Sequence, residues 1–151
     1  MAQATEETLE KVFFHLECDA EGYPPVSSES LWATPIGKGL YRLENVPFFA
    51  REVSYQDIVA VETVDGRHWF KEVIEPSGSS TLRVVVFDIS YRHRVIERLR
   101  QYGCSIEVSY TPKLFSVEVP KEAPYDEIID YLNQGYESEE LDYEEGCIRH
   151  G

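Results

Sequence analysis

Thr81-Leu82-Arg83-Val84-Val85-Val86-Phe87 is the stretch on which the fold turns. A nearly continuous apolar run of this length reads as a central strand covered on both faces. Working outward, Tyr91 to Tyr102 carries Val95, Leu99 and Tyr102 at helical spacing, and Gly103 stops that helix. Ser105 to Tyr110 and Leu114 to Val119 read as two strands around Thr111-Pro112-Lys113. Pro124 then opens a second helix, where its missing N–H costs nothing. Tyr125, Ile128, Ile129 and Leu132 give that helix an apolar face, and Asp126 and Glu127 suit its dipole. Glu140 to Ile148 supplies a last strand. The order is β-α-β-β-α-β, the split ferredoxin-like arrangement.

Toward the N-terminus the pattern changes. Lys11 to Glu17, Leu31 to Ile36, Gly39 to Val46, Ile58 to Val64 and His68 to Ile74 read as short strands. Asp19 to Ser30 is a loop broken by Gly22 and Pro24-Pro25, and Asp65-Gly66 is a hairpin turn. Strict alternation along the fifth strand sets Trp69, Lys71 and Val73 on one face and Phe70, Glu72 and Ile74 on the other. Several short strands without a helix predict a small bent sheet or barrel. The polar turn Glu75-Pro76-Ser77-Gly78-Ser79-Ser80 marks the boundary, so the expected class is α+β, with a β-rich half at 1–78 and an α+β half at 79–151.

The 151 residues carry a formal charge of −14, and it is patterned. Residues 1–78 sum to −8, residues 79–119 to +2 and residues 120–151 to −8. Such a field disfavours nucleic acid and anionic membrane as direct ligands and favours a basic protein partner. No apolar run reaches the roughly 20 residues that span a bilayer, and Met1 to Glu7 lacks the character of a signal peptide. Cys18, Cys104 and Cys147 lack framework spacing, which suits a reducing cytoplasm.

Tyr136, Glu137, Glu139, Glu140, Asp142, Tyr143, Glu144 and Glu145 form the candidate partner-binding patch, carboxylates for steering and tyrosines for contact area. Its bland alternative is a solvated acidic strand. Ser77, Gly78, Ser79, Ser80 and Thr81 offer hydroxyls and backbone N–H groups to an anion or small ligand, although a plain connector has the same composition. Cys147 and His150 lack the second pair a zinc site needs, so no metal or cofactor is expected. His15, His68, His93 and His150 are scattered, no nucleophile elbow is present, and no catalytic constellation emerges. Arg92, His93, Arg94, Arg98 and Arg100 make the first helix basic, with the acidic end or a second subunit as the simplest counter-charge. Trp32, Phe48, Phe49 and Trp69 read as core of the β-rich half in preference to pocket lining.

Several segments resemble the uncharacterised bacterial family known as domain of unknown function 4265. They are Leu31-Trp32-Ala33, Tyr41 to Ala50, Val53 to Val59, Ser77 to Arg83 and Tyr143-Glu144-Glu145-Gly146-Cys147. The family's central turn often has a histidine after Ser-Gly, where this chain has Ser79. The resemblance implies a shared fold and carries no activity. Some small acidic bacterial proteins of this kind resemble immunity proteins encoded beside toxins. The expected function is therefore a cytoplasmic, non-enzymatic module that binds and blocks a basic partner, in its concrete form a toxin domain such as a nuclease. The alternative is a small-molecule or nucleotide-binding domain with its site between the two halves.

Overall fold

An odd number of strands dictates how the first part of the chain closes on itself. In the computed structural model, which describes residues 8–109 and 111–150, the protein is α+β, mostly strands with two helices. It divides into two compact units, residues 1–77 and 78–151. Met1 to Glu7, which bears on the signal-peptide reading, and Tyr110, at the end of an expected strand, lie outside the described residues. In the first unit β1 (Glu10–His15), β2 (Ser28–Gly37), β3 (Leu40–Leu43), β4 (Ile58–Val64) and β5 (Arg67–Glu75) form a closed barrel in that order. Each consecutive pair is antiparallel, so β5 returns in the direction of β1 and the seam is parallel, Val12 opposite His68 and Phe13 opposite Trp69.

The turns follow local chemistry. Asp65 and Gly66 both take positive φ, 52° and 80°, which matches the right-handed twist of the strands they join. The barrel core is Val12, Phe14, Leu31, Ala33, Tyr41, Leu43, Ala50, Val53 and Val59, with Phe70 and Val73 packed against it. Strict alternation fails on β5, because Phe70 and Val73 both face inward. Ala60 and Val61 on β4 oppose Glu72 and Phe70, and Ile58 and Val59 oppose Glu75 and Val73, so the register slips twice. Each bulge adds a residue and local twist, which a barrel of five strands needs in order to close. The aromatic reading is also corrected. Trp32 is 44% exposed and carries the Lys11 ammonium 5.0 Å above its ring, and Trp69 stacks on His15 at 3.9 Å.

The second unit contains β6 (Ser80–Val86), α1 (Arg92–Gln101), β7 (Ser105–Val108), β8 (Leu114–Val119), α2 (Tyr125–Glu137) and β9 (Leu141–Cys147). Its sheet has the order β7-β8-β6-β9, all antiparallel. Leu82, Val84 and Val86 of β6 join Phe115, Val117 and Val119 of β8, with Val95, Leu99, Ile128 and Leu132 from the helices, in one buried cluster. Complete burial of each such side chain contributes about 1.5–3 kcal/mol. Gly135 of α2 admits Leu141, whose Cδ2 would lie 2.7 Å from an added Cβ. Before α1, Asp88 caps a short 3-10 turn by accepting from the Ser90 N–H at 2.9 Å. That bond, with Lys113 a smaller contributor, holds its carboxyl below the usual range. The cap is accordingly intact at neutral pH and is fully lost only once pH falls below the usual carboxylate range, through the lowered value.

Part of the other side of this sheet is polar yet buried. Thr81, Arg83, Ser116 and Glu118 are each at most 7% exposed. Register aligns Glu107 of β7, Ser116 of β8, Arg83 of β6 and Glu144 of β9 in one row. The Arg83 guanidinium lies 3.5 Å from the Glu144 carboxylate.

Candidate functional site

The acidic patch sits where α2 ends and β9, an edge strand, begins. Glu139 takes the left-handed conformation, φ 61°, and Glu140 donates its N–H back to the Gly135 carbonyl at 2.9 Å, which ends the helix. This reversal splits the eight expected residues into two groups. Tyr136, Glu137, Glu139 and Asp142 point to solvent. The others are engaged within the unit: Glu140 pairs with Arg94 at 2.5 Å, Glu144 with Arg83, and Glu145 accepts from the Tyr125 hydroxyl at 2.6 Å. Tyr143 donates to the Asn133 side-chain oxygen at 2.7 Å and packs on the core. Burial raises the Tyr125 hydroxyl first, and the Glu145 contact adds to it. Burial likewise raises Tyr143, ahead of the charges of Glu145 and Asp142.

Among the described residues the basic helix meets the patch in one ion pair, Arg94 on Glu140. Arg98 lies over the rings of Tyr102 and Tyr131 at 5.2 and 5.6 Å, and Arg100 pairs with Glu97 at 3.1 Å. An exposed pair such as Arg94–Glu140 contributes about 0–1 kcal/mol. Glu137, Glu139 and Asp142 thus leave an anionic outer surface.

The serine-rich turn is built differently from a bare anion cradle. Ser77 donates its N–H to Asp57 Oδ1 at 2.8 Å and its hydroxyl to the Tyr55 carbonyl at 2.7 Å. In the second unit the buried Ser79 hydroxyl donates to Glu118 Oε2 at 2.5 Å. Gly78 holds φ 94°, with Lys121 3.2 Å from where a Cβ would stand. The Ser80 hydroxyl oxygen accepts the Arg149 N–H at 2.7 Å, and Thr81 is fully buried. Two carboxylates therefore occupy donors of this turn.

Two imidazole clusters were not legible from the sequence, since their members lie far apart in the chain. His150 Nε2 bonds the Pro120 carbonyl at 2.8 Å, so Nε2 carries the hydrogen and Nδ1 accepts from the Ser80 hydroxyl at 2.6 Å. Tyr125 stacks on the same ring at 4.8 Å. Ser80 has no exposed surface, and this serine–histidine pair fastens residues 149–150 to β6. At the barrel seam His68 Nε2 donates to Glu10 Oε1 at 2.9 Å, and Nδ1 accepts from Thr63 at 2.8 Å. That chain ties β1, β4 and β5 together. Among the described residues, no group of three or more His, Cys, Asp or Glu is placed to hold a metal, and no helix is long and apolar enough to cross a membrane.

The thiols differ by environment. Cys18 is exposed, whereas Cys104 and Cys147 are buried, and burial pushes the Cys104 thiol up to about 12. Iodoacetamide at neutral pH is expected to add a single mass increment to the native chain, at Cys18. Peptide mapping checks this, and early labelling of Cys104 would show that β7 opens.

A five-stranded barrel unit followed by a four-stranded, two-helix α+β unit is the architecture against which relatives can be compared. The family model described as "Domain of unknown function (DUF4265)" matches residues 29–143, and the chain belongs to that family. The match takes in the Tyr41 to Ala50 and Ser77 to Arg83 segments. The crystal structure of a hypothetical protein from Neisseria gonorrhoeae is similar, with a TM-score of 0.81 over 94% of this chain and 96% of that one. At 24% identity that likeness speaks for the fold alone. No curated protein matches the chain.

Proposed function

We propose that this protein is a non-enzymatic interaction module that docks a basic protein partner on the acidic end of its second unit. The concrete form of the proposal is an immunity protein covering a toxin domain such as a nuclease. One observation carries it: Tyr136, Glu137, Glu139 and Asp142 face outward together, on an edge strand and the helix end beside it. Charged side chains on an edge also deter unwanted strand pairing, which is the competing use of the same residues. The element order and the sheet order of the second unit support reading it as ferredoxin-like. Three cysteines, none of them joined in a disulfide among the described residues, support a cytoplasmic setting.

The test separates steering from folding. The products of neighbouring genes are passed over the immobilised protein across a salt series, and association is timed for any that binds. Glu137→Lys, Glu139→Lys and Asp142→Lys together are expected to slow association at least tenfold at low salt. Stability should move by about 0.5 kcal/mol or less per site, because these are exposed positions. Glu140 and Glu144 are left intact, since both hold arginines of the fold. Unchanged association, or no bound neighbour at low salt, removes the patch from the mechanism.

A further inference from the structure

We infer that the mouth of the first unit's barrel is a binding site for a small aromatic carboxylate. A cavity of about 370 Å³ opens there, lined within that unit alone. Phe14 and Phe70 floor it with rings stacked 4.9 Å apart, and Phe49 stands at its side. The cavity's volume exceeds the about 150 Å³ that holds benzene in a closed apolar cavity, and its part-polar, open lining leaves room for a short polar arm. Barrel mouths are common places for such sites.

The rim selects the arm. Arg51, His15 and Glu17 border the cavity. A guanidinium matches a carboxylate with two parallel N–H bonds. Glu17, in a chain of net charge −14, opposes a second negative charge, which favours a monoanionic carboxylate over a phosphate. Asp19 also lies in the field of Arg51, so the ligand competes with a carboxylate the protein already has.

The loop carrying Phe49, Ala50 and Arg51 is held in place before any ligand arrives. Glu29 accepts the N–H groups of Phe48, Phe49 and Ala50 at 2.6, 2.9 and 2.8 Å. Asp57 accepts that of Ser54 at 2.9 Å. Between these anchors Glu52 takes φ 67°, a region that a non-glycine residue occupies only when its surroundings enforce it. This site needs no protein partner and stands independently of the acidic end.

The test titrates the intact protein with 3-phenylpropionate, 3-phenylpropanol and phenyl phosphate, by calorimetry and by amide chemical shifts. The carboxylate is expected to bind at least tenfold more tightly than either comparator, with shifts centred on Phe14, Phe49 and Arg51. Arg51→Gln, at an exposed position, should weaken the carboxylate about tenfold and leave the alcohol unchanged. Phe49→Leu should weaken both. Absence of carboxylate binding at about 10 mM overturns the proposal. So do equal affinities for acid and alcohol, or indifference to Arg51→Gln.

Discussion

Gly146→Ala is expected to destabilise the second unit by about 2–3 kcal/mol, the cost of displacing the buried Arg83 guanidinium from its half-buried partner Glu144. Gly146 takes no unusual backbone angle; what it provides is room. An added Cβ would stand 1.6 Å from Arg83 Nη1 and 2.6 Å from its Cζ, so the guanidinium must leave. Arg83 is 2% exposed, so displacing its guanidinium breaks the contact with Glu144 inside the unit. Gly146 is also the extra residue where the β6–β9 register slips, with Thr81 opposite Cys147 and Leu82 opposite Glu145. A glycine inside a strand marks either a bulge or a close approach, and here it serves both. Urea denaturation followed by circular dichroism measures the loss. In an Arg83→Met background the same glycine change should cost about 1 kcal/mol, because the clashing group is gone. Equal costs in both backgrounds would show that the bulge, and not the arginine, requires glycine.

Arg83 shows where the sequence stops being readable. It interrupts an apolar run, so its presence in a central strand is plain, but its partner sits 61 positions later and is set opposite it only by the pairing of β6 with β9. Local patterns read well in the second unit. Tyr125, Ile128, Ile129 and Leu132 all pack against its core, because helical spacing is a short-range property. The five barrel strands and the Asp65-Gly66 turn were likewise legible from alternation and turn chemistry. Failures came where a face depends on register. Phe70 and Val73 share the inner side of β5 through its bulges, and Trp32 falls outside a core of smaller side chains. The acidic run was visible as charge, but composition cannot tell Glu139, turned outward at a helix end, from Glu140, one residue on and held by Arg94. Of the cavity only Phe49 was weighed from the sequence, as the less favoured pocket-lining alternative, since β1, β5 and the loop after Pro47 meet only in three dimensions.

Glu29→Ala is expected to cost about 2–4 kcal/mol, from the loss of three hydrogen bonds to a charged acceptor, offset in part by water. One carboxylate accepts three successive N–H groups, Phe48 on Oε2 and both Phe49 and Ala50 on Oε1. Pro47, just before them, has no N–H of its own to place. Glu29→Gln separates charge from shape. Its carbonyl oxygen can still serve Phe49 and Ala50, but its NH2 then faces the Phe48 N–H, donor against donor. The glutamine variant should therefore fall between wild type and alanine in stability, with amide exchange accelerated at Phe48 more than at Ala50. Alanine should accelerate all three, and in doing so free Phe49 and the neighbouring Arg51 from the geometry the cavity requires. If exchange at 48–50 stays slow in Glu29→Ala, the loop is held by its contacts with the barrel core. In that case the order of the cavity's rim is a property of packing and not of this carboxylate.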